Sequence, residues 1–415
     1  MKNLPRRKFI GLVGAGALSA VTGWRSAWSD TEFRVRTITA GVKLRNASDL
    51  DEMYAAVEFL SAAGSRFSDR FEIQTTRIAT QPLPQYLPSW LSTSSSDVIR
   101  RLDQLCKDAG SSLSIGPILI YDEDTPGFAS WAADLIQATT NTSFSCFVAS
   151  QEKGLHHHTI QAAAEAIVAI AQASAGGEGN FRFCATAFCP PGTPFFPAAY
   201  HEGRRSFSIG LESPRLLQAA VEGSSNLVEA ERSMRSRLNG ALAPVEALAE
   251  QIARETGWLY LGVDTSPAPG LDASIGEVIE TLAGTPFGSP STLSACSTIT
   301  DVLKGLDTKT CGYSGLMLPV LEDRVLAKRA IEGRYGVSEL LLYSSVCGTG
   351  LDVVPLPGDA PVAGLAATIE DVAALAARYH KPLSARLFPV PGKQEGDMVN
   401  FDNPYLTQSR VLALG

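Results

Sequence analysis

A chain of 415 residues that is 45% hydrophobic can bury a large core, and 43 acidic against 35 basic residues leave it at a net charge of −8. That balance, with no clustered Lys/Arg stripe, excludes nucleic acid as a partner, because phosphate contacts need such a cluster to displace counterions. No run is long enough for a stable membrane span, and the seven cysteines are odd in number with no C-x-x-C pair, which excludes a disulfide or zinc framework and reads as small buried hydrophobes.

The chain opens with Pro5-Arg6-Arg7-Lys8-Phe9-Ile10, which looks like a twin-arginine export signal. A mild apolar run from Leu12 to Val21 follows, and Ala27-Trp28-Ser29 offers the small residues a signal peptidase needs. Residues 1–29 are therefore expected to be a signal peptide, placing the mature protein in the periplasm or another extracytoplasmic space. Cleavage after Ser29 removes five of the 35 basic residues and none of the 43 acidic ones, so the charge becomes −13. The Gly14-Ala15-Gly16 run lies in this signal and is no dinucleotide fingerprint, since no strand precedes it.

From there strand-like and helix-like runs alternate. Val35–Leu44 reads as a strand; Asp49 to Glu52 resembles a capping box before a helix that Gly64 stops. Phe71–Ile78 is a strand, Ser96 caps a helix ended by Gly110, and Leu113–Ile120 is a buried strand before an acidic turn at Asp122. A helix near Ala129–Gln137, a strand Ser143–Val148, a helix Thr159–Ala173 and a strand Phe181–Phe188 follow. Next come a strand Ser206–Leu211, a mostly helical span from Pro214 to Gly257 and a strand Trp258–Val263. Helices near Ser274–Ala283 and Leu293–Leu306 lead to Leu316–Pro319. A helix Asp323–Glu332, a run Glu339–Val346 that periodicity leaves ambiguous, a helix Val362–Tyr379 and a strand Leu383–Phe388 complete the chain. Near-continuous apolar strands alternating with helices predict an α/β fold with a parallel sheet covered on both faces. About nine or ten strands would fit a closed parallel β/α barrel, with an open doubly wound sheet as the alternative. No linker or repeat divides residues 30–415, which read as a single domain.

The most constrained stretch is Gly176–Gly203. Gly176, Gly177 and Gly179 flank Glu178, and Pro190, Pro191, Pro194 and Pro197 brace an aromatic turn of Phe195, Phe196 and Tyr200. Arg182 sits among apolar neighbours. A guanidinium cannot lose its charge, so Arg182 either holds an anion at a pocket wall or ties down a loop by its carbonyls. Together with VRTITAGVKL (Val35–Leu44), FEIQTTRIAT (Phe71–Thr80), LGVDTSPAPG (Leu261–Gly270), GYSGLMLPVLED (Gly312–Asp323) and VCGTGLDVVPLPGD (Val346–Asp359), this stretch resembles the domain of unknown function 711 (DUF711) family. The resemblance runs from about Thr31 to the end. It implies a fold similar to the pyruvate formate-lyase-like α/β barrels, and no particular chemistry.

Ligands of such folds sit beyond the carboxyl ends of the strands. That rule picks out Arg77, Asp122, Glu212, Asp264, Asp352 and Arg386. Asp264, followed by the polar turn Thr265-Ser266-Pro267, is the sharpest candidate for a general base or ligand, and a capping aspartate is the structural alternative. Glu178 has glycines that would let a ligand approach, or that simply form a turn. Of the five histidines, the run His156-His157-His158 cannot converge on one ion and reads as a loop. His201, beside Glu202 and after the aromatic turn, is the better acid/base candidate, or a packed, hydrogen-bonded histidine. Gly-x-Ser-x-Gly, P-loop and H-E-x-x-H patterns do not occur, and neither does the Arg-Val-x-Gly-Tyr loop of glycyl-radical enzymes.

The expectation is an exported enzyme without a glycyl radical, acting on a small polar, anionic molecule. Asp264, Glu212 and His201 would be catalytic, and Arg77, Glu178, Arg182, Ser266, Asp352 and Arg386 would bind substrate. Lyase, aldolase or hydrolase chemistry would fit, with a divalent metal as an open option and a homo-oligomer as an open assembly state. The alternative is a non-catalytic exported binding protein using the same pocket.

Overall fold

A computed structural model describes residues 33–92, 94–270 and 272–415; the expected signal peptide lies outside the described residues. Five strands, β1 (Arg34–Val42), β2 (Ile73–Thr80), β3 (Ser111–Pro117), β4 (Thr142–Ser150) and β6 (Phe183–Ala187), run parallel and adjacent in that order. A two-residue β5 (Gly154–Leu155) pairs with β4 alone. The helices α1 (Leu50–Ser68), α2 (Ser95–Asp108), α3 (Phe128–Ala138) and α4 (His157–Ala173) return the chain between them, as parallel pairing requires. No helix follows β6. Residues 188–205 form the proline-braced turn instead, so the chain does not return, and β7 (Ser206–Glu212) pairs antiparallel with β1. Helices α5 (Pro214–Val221) and α6 (Leu227–Thr256) then lead to β8 (Leu259–Pro267), parallel to β7.

The remaining elements are α7 (Ile275–Ala283), α8 (Thr292–Lys304), α9 (Arg324–Ile331), α10 (Val337–Ser344), β9 (Gly350–Pro357), α11 (Val362–Tyr379), β10 (Leu383–Val390) and a small hairpin of β11 (Met398–Val399) with β12 (Ser409–Arg410). β10 pairs antiparallel with β6 and parallel with β9. The fold is thus α/β with a mostly parallel, mixed sheet of 10 strands, ordered β8-β7-β1-β2-β3-β4-β6-β10-β9 with β5 off the path. The expected all-parallel arrangement is corrected at three junctions, β1/β7 and β6/β10 on the path and β4/β5 off it. The ladder does not close, although residues 310–320 lie along both of its free edges: Cys311 N–H donates to Val263 O at 3.0 Å, and Val320 N–H to Asp352 O at 3.1 Å.

Other expectations shift locally. α1 runs past Gly64, β6 begins only after a 3₁₀ run over Ala175–Arg182, the ambiguous run is helix α10, and the strand β9 had no counterpart in the sequence reading. The helices pack their apolar faces on the sheet: Phe59 of α1 stacks on Trp258 at 4.1 Å and tilts against Phe207 of β7, each such burial contributing about 1.5–3 kcal/mol. No helix among the described residues is long and apolar enough to cross a membrane. All seven cysteines are unbonded and six of them are buried.

The segment along the β8 edge is held by Asp264. This residue lies inside β8, not in a turn after it, and is fully buried. Its carboxylate accepts N–H bonds from Tyr313 (2.8 Å), Ser314 (2.9 Å) and Ser266 (3.1 Å). Gly312 adopts φ 62°, and a Cβ there would sit 2.1 Å from Asp264 Oδ2, so only glycine lets the backbone approach. Ser266 serves the same segment, its Oγ accepting the Gly315 N–H. Asp264→Asn turns one acceptor into an NH2 aimed at amide donors, so stability should fall by about 1–3 kcal/mol in equilibrium denaturation. An unchanged midpoint would show that the carboxylate does not clamp this segment.

Candidate functional site

Charged side chains within a sheet must be paired or bound to a ligand, because desolvation penalises a lone charge. Arg36 on β1, Arg77 on β2 and Arg386 on β10 all line a single cavity of about 740 Å³. Arg386 is 7% exposed and donates through Nε to Asp352 Oδ1 at 2.7 Å and through Nη2 to Glu322 Oε1 at 2.6 Å. Burial opposes its charge, but the two carboxylates more than compensate and hold its pKa above the ordinary value. Arg36 donates to Gln74 Oε1 at 2.8 Å and Glu212 Oε2 at 3.4 Å, and its other Nη lies 3.6 Å from Glu322.

Arg77 differs. Its one hydrogen bond among the described residues runs from Nε to Thr75 Oγ1 at 3.3 Å, and its guanidinium lies over the Phe196 ring at 5.0 Å. No carboxylate among the described residues forms an ion pair with it. Burial, and then the neighbouring charge of Arg36, push its pKa down to about 9, so at neutral pH it remains a cation in unfavourable surroundings. Aromatic rings complete the wall. Arg386 lies over Phe181 at 4.9 Å, Phe181 stacks on Tyr405 at 6.4 Å, and Arg36 lies over Tyr405 at 5.5 Å.

Of the nine residues given catalytic or binding roles from sequence, Arg77, Glu178, Arg182, Asp352 and Arg386 line this cavity, and Asp264, Glu212, His201 and Ser266 do not; Asp122, also picked out by the strand-end rule, lies off it and accepts the His158 and Thr159 amides. Glu178 is half-buried; its Oε1 accepts the Asp402 N–H at 3.2 Å, and burial raises its carboxyl above the usual range. Arg182 is engaged by backbone: it donates to Ile136 O (2.6 Å), Thr142 O (3.0 Å) and Thr139 Oγ1 (2.9 Å), tying the end of α3 to β4 and not the proline turn. Burial lowers its pKa to about 10. Glu212, at the end of β7, receives Arg34, Arg36 and Gln74, so it acts on the cavity through Arg36. His201 is packed against Gly41, with Nε2 3.2 Å from Gly203 O and Nδ1 3.1 Å from Ser206 Oγ. Among the described residues no three His, Cys, Asp or Glu side chains gather to hold a metal ion.

The sequence reading missed Arg36, Glu322 and Tyr405. Arg36 carries the signal that exposed Arg182, an arginine within an apolar strand. Glu322 closes a quoted motif beside Asp323, whereas nothing local marks Tyr405.

Burial lowers His201 to about 4, so it is neutral in the fold. A histidine depressed in the folded state contributes stability that is present above its ordinary pKa near 6.5 and lost as pH falls from there toward 4. The melting temperature should therefore drop over that window, and His201→Asn should flatten the drop. His156, lowered in the same direction by burial, adds to the drop. An unchanged slope in the variant would assign the loss elsewhere.

The family model described as "Uncharacterised ACR (DUF711)" matches residues 28–403. The chain is 31% identical over 352 residues to a UPF0210 protein of Pyrobaculum islandicum, covering 80% of this chain and 77% of that one. It is 26% identical over 408 residues to a UPF0210 protein of Desulfovibrio desulfuricans, covering 88% of each. Over 413 residues it is 27% identical to a UPF0210 protein of Caldicellulosiruptor saccharolyticus, covering 92% of this chain and 90% of that one.

Proposed function

Because the chain belongs to the DUF711 (UPF0210) family, whose description names no reaction, we propose its function from the cavity: an exported protein that binds a small anionic organic molecule on Arg77 and acts on it as an enzyme. The observation that carries this reading is a guanidinium on the wall of a cavity of about 740 Å³ with no carboxylate partner among the described residues. Arg36 and Arg386 are already neutralised by Glu212, Glu322 and Asp352, so an incoming anion gains most at Arg77. Acid/base chemistry of the lyase, aldolase or hydrolase type would draw on the carboxyls that line the cavity, Glu178, Glu322, Asp352 and Asp402. A second reading, binding without catalysis, is favoured by the position of Asp264, Glu212 and His201, each of which is engaged structurally and lies off the lining. Product detection separates the two.

Two further parts belong to this reading. Residues 30–415 act as one domain, whose sheet is completed into a barrel similar to the pyruvate formate-lyase-like fold by the segment that bridges β8 and β9. The N-terminal Arg6-Arg7 pair serves as a twin-arginine signal.

Titration calorimetry with small carboxylates and inorganic phosphate tests the site. Arg77→Lys should weaken the best ligand about tenfold or more, since an ammonium cannot reproduce a bidentate fork, and Arg77→Met should weaken it further. Binding that is indifferent to Arg77 overturns the reading. For export, changing Arg6 and Arg7 together to Lys should leave the precursor in the cytoplasm on fractionation; unchanged export would refute the signal.

A further inference from the structure

The cavity carries a second unmatched charge. Glu178 is half-buried, yet among the described residues no Lys or Arg forms an ion pair with it; its one bond is the backbone N–H of Asp402. Its burial lifts the carboxyl above the usual range, which is the mark of an anion lacking a partner. The 3₁₀ run Ala175–Arg182 that carries Glu178 leads directly into β6, while Arg77 lies on β2, with β3 and β4 between. Three strand spacings amount to about 14 Å along the sheet. Arg77 and Glu178 therefore enter the same cavity from separate stretches of its wall, while Arg182, which also lines it, is held by carbonyls and a hydroxyl. Between them Ser112 and Ser143, at the starts of β3 and β4, add hydroxyls to the lining.

We propose that the ligand is zwitterionic: a carboxylate bound by Arg77 and a primary ammonium group, several bonds away, bound by Glu178. This rests on the anion reading of Arg77 and adds the second pole. A metal ion at Glu178 would need more ligands than are gathered there, since the carboxylate beside it is that of the exposed Asp402 and among the described residues no cluster of three donors exists. An ammonium group needs one carboxylate and neutral acceptors such as hydroxyls. The two poles together also match a cavity in which every other guanidinium on a strand already has its carboxylate.

The test is calorimetry on the purified protein with matched pairs that differ only by the amine: glycine and acetate, β-alanine and propionate, γ-aminobutyrate and butyrate, glycylglycine and N-acetylglycine. In the wild type at least one amino compound should bind about tenfold or more tightly than its partner. Glu178→Gln should bring that ratio close to one, Glu178→Asp should keep part of it, and Arg77→Met should weaken both members of the pair. Thermal melting of each variant reports its folding, and the aspartate variant decides the matter if the glutamine variant does not fold. If the amine-free acids bind as tightly as the amino compounds, or the preference survives Glu178→Gln, the zwitterion proposal falls while the anion reading stands. If no member of any pair depends on Arg77, both fall.

Discussion

The constraint on which the rest depends is the pairing of guanidinium groups inside the sheet. Arg36, Arg77 and Arg386 lie on three different strands, and an arginine keeps its charge whatever its surroundings. Glu322 and Asp352 answer Arg386, while Glu212 and Glu322 share Arg36. Such pairs are weak evidence for net stability, since desolvation offsets their attraction, but removing one partner leaves a buried charge and typically costs about 3–5 kcal/mol. Their effect is to specify arrangement. Glu322 ends the segment along the sheet's free edges, Asp352 lies on β9, and Tyr405 belongs to the C-terminal loop that covers the rings. The network draws parts of the chain that are distant in sequence to one place and leaves one of these three guanidinium groups, that of Arg77, over.

Several residues of catalytic type are used to build this frame. Asp264 accepts three amides and holds the 310–320 segment against β8. Ser266 receives a third amide of that segment, from Gly315, the other two being those of Tyr313 and Ser314 on Asp264. Arg182 closes the end of α3 with its carbonyl contacts, and His201 sits neutral beneath the start of β7. The proline-braced turn is structural too: Thr39 and Ser114 donate to its carbonyls at Pro194 and Ala199, and Phe195 packs where Gly210 leaves no room for a side chain. The same turn supplies Phe196 to the face of Arg77. Scaffold and cavity wall are one element here.

Strand and helix alternation was readable because apolar period is local, and most elements lie within a few residues of their expected place. What failed was direction. The strand-end rule presumes that all carboxyl ends face one way, but β7, β8, β9 and β10 oppose the other strands of the path. Arg182 precedes its strand, and Arg77, Asp352 and Arg386 lie within theirs. The rule therefore found cavity residues through their unusual charge within apolar strands more than through their position. β9 escaped because Pro355 and Pro357 interrupt its apolar run, and its pairing is supplied by β10.

The sequence by itself determined the α/β class, the family and the presence of arginines with no local way to satisfy their charge. Those properties follow from composition, period and motif, each carried by neighbours along the chain. Only the tertiary structure decided that Arg77, among the strand arginines of the cavity, is left without a carboxylate, that Glu178 lines the same cavity, and that Asp264 and His201 lie off it. Each of those facts is a pairing between residues tens to hundreds of positions apart, and whether a charge is matched depends on which distant group the fold brings within hydrogen-bond reach.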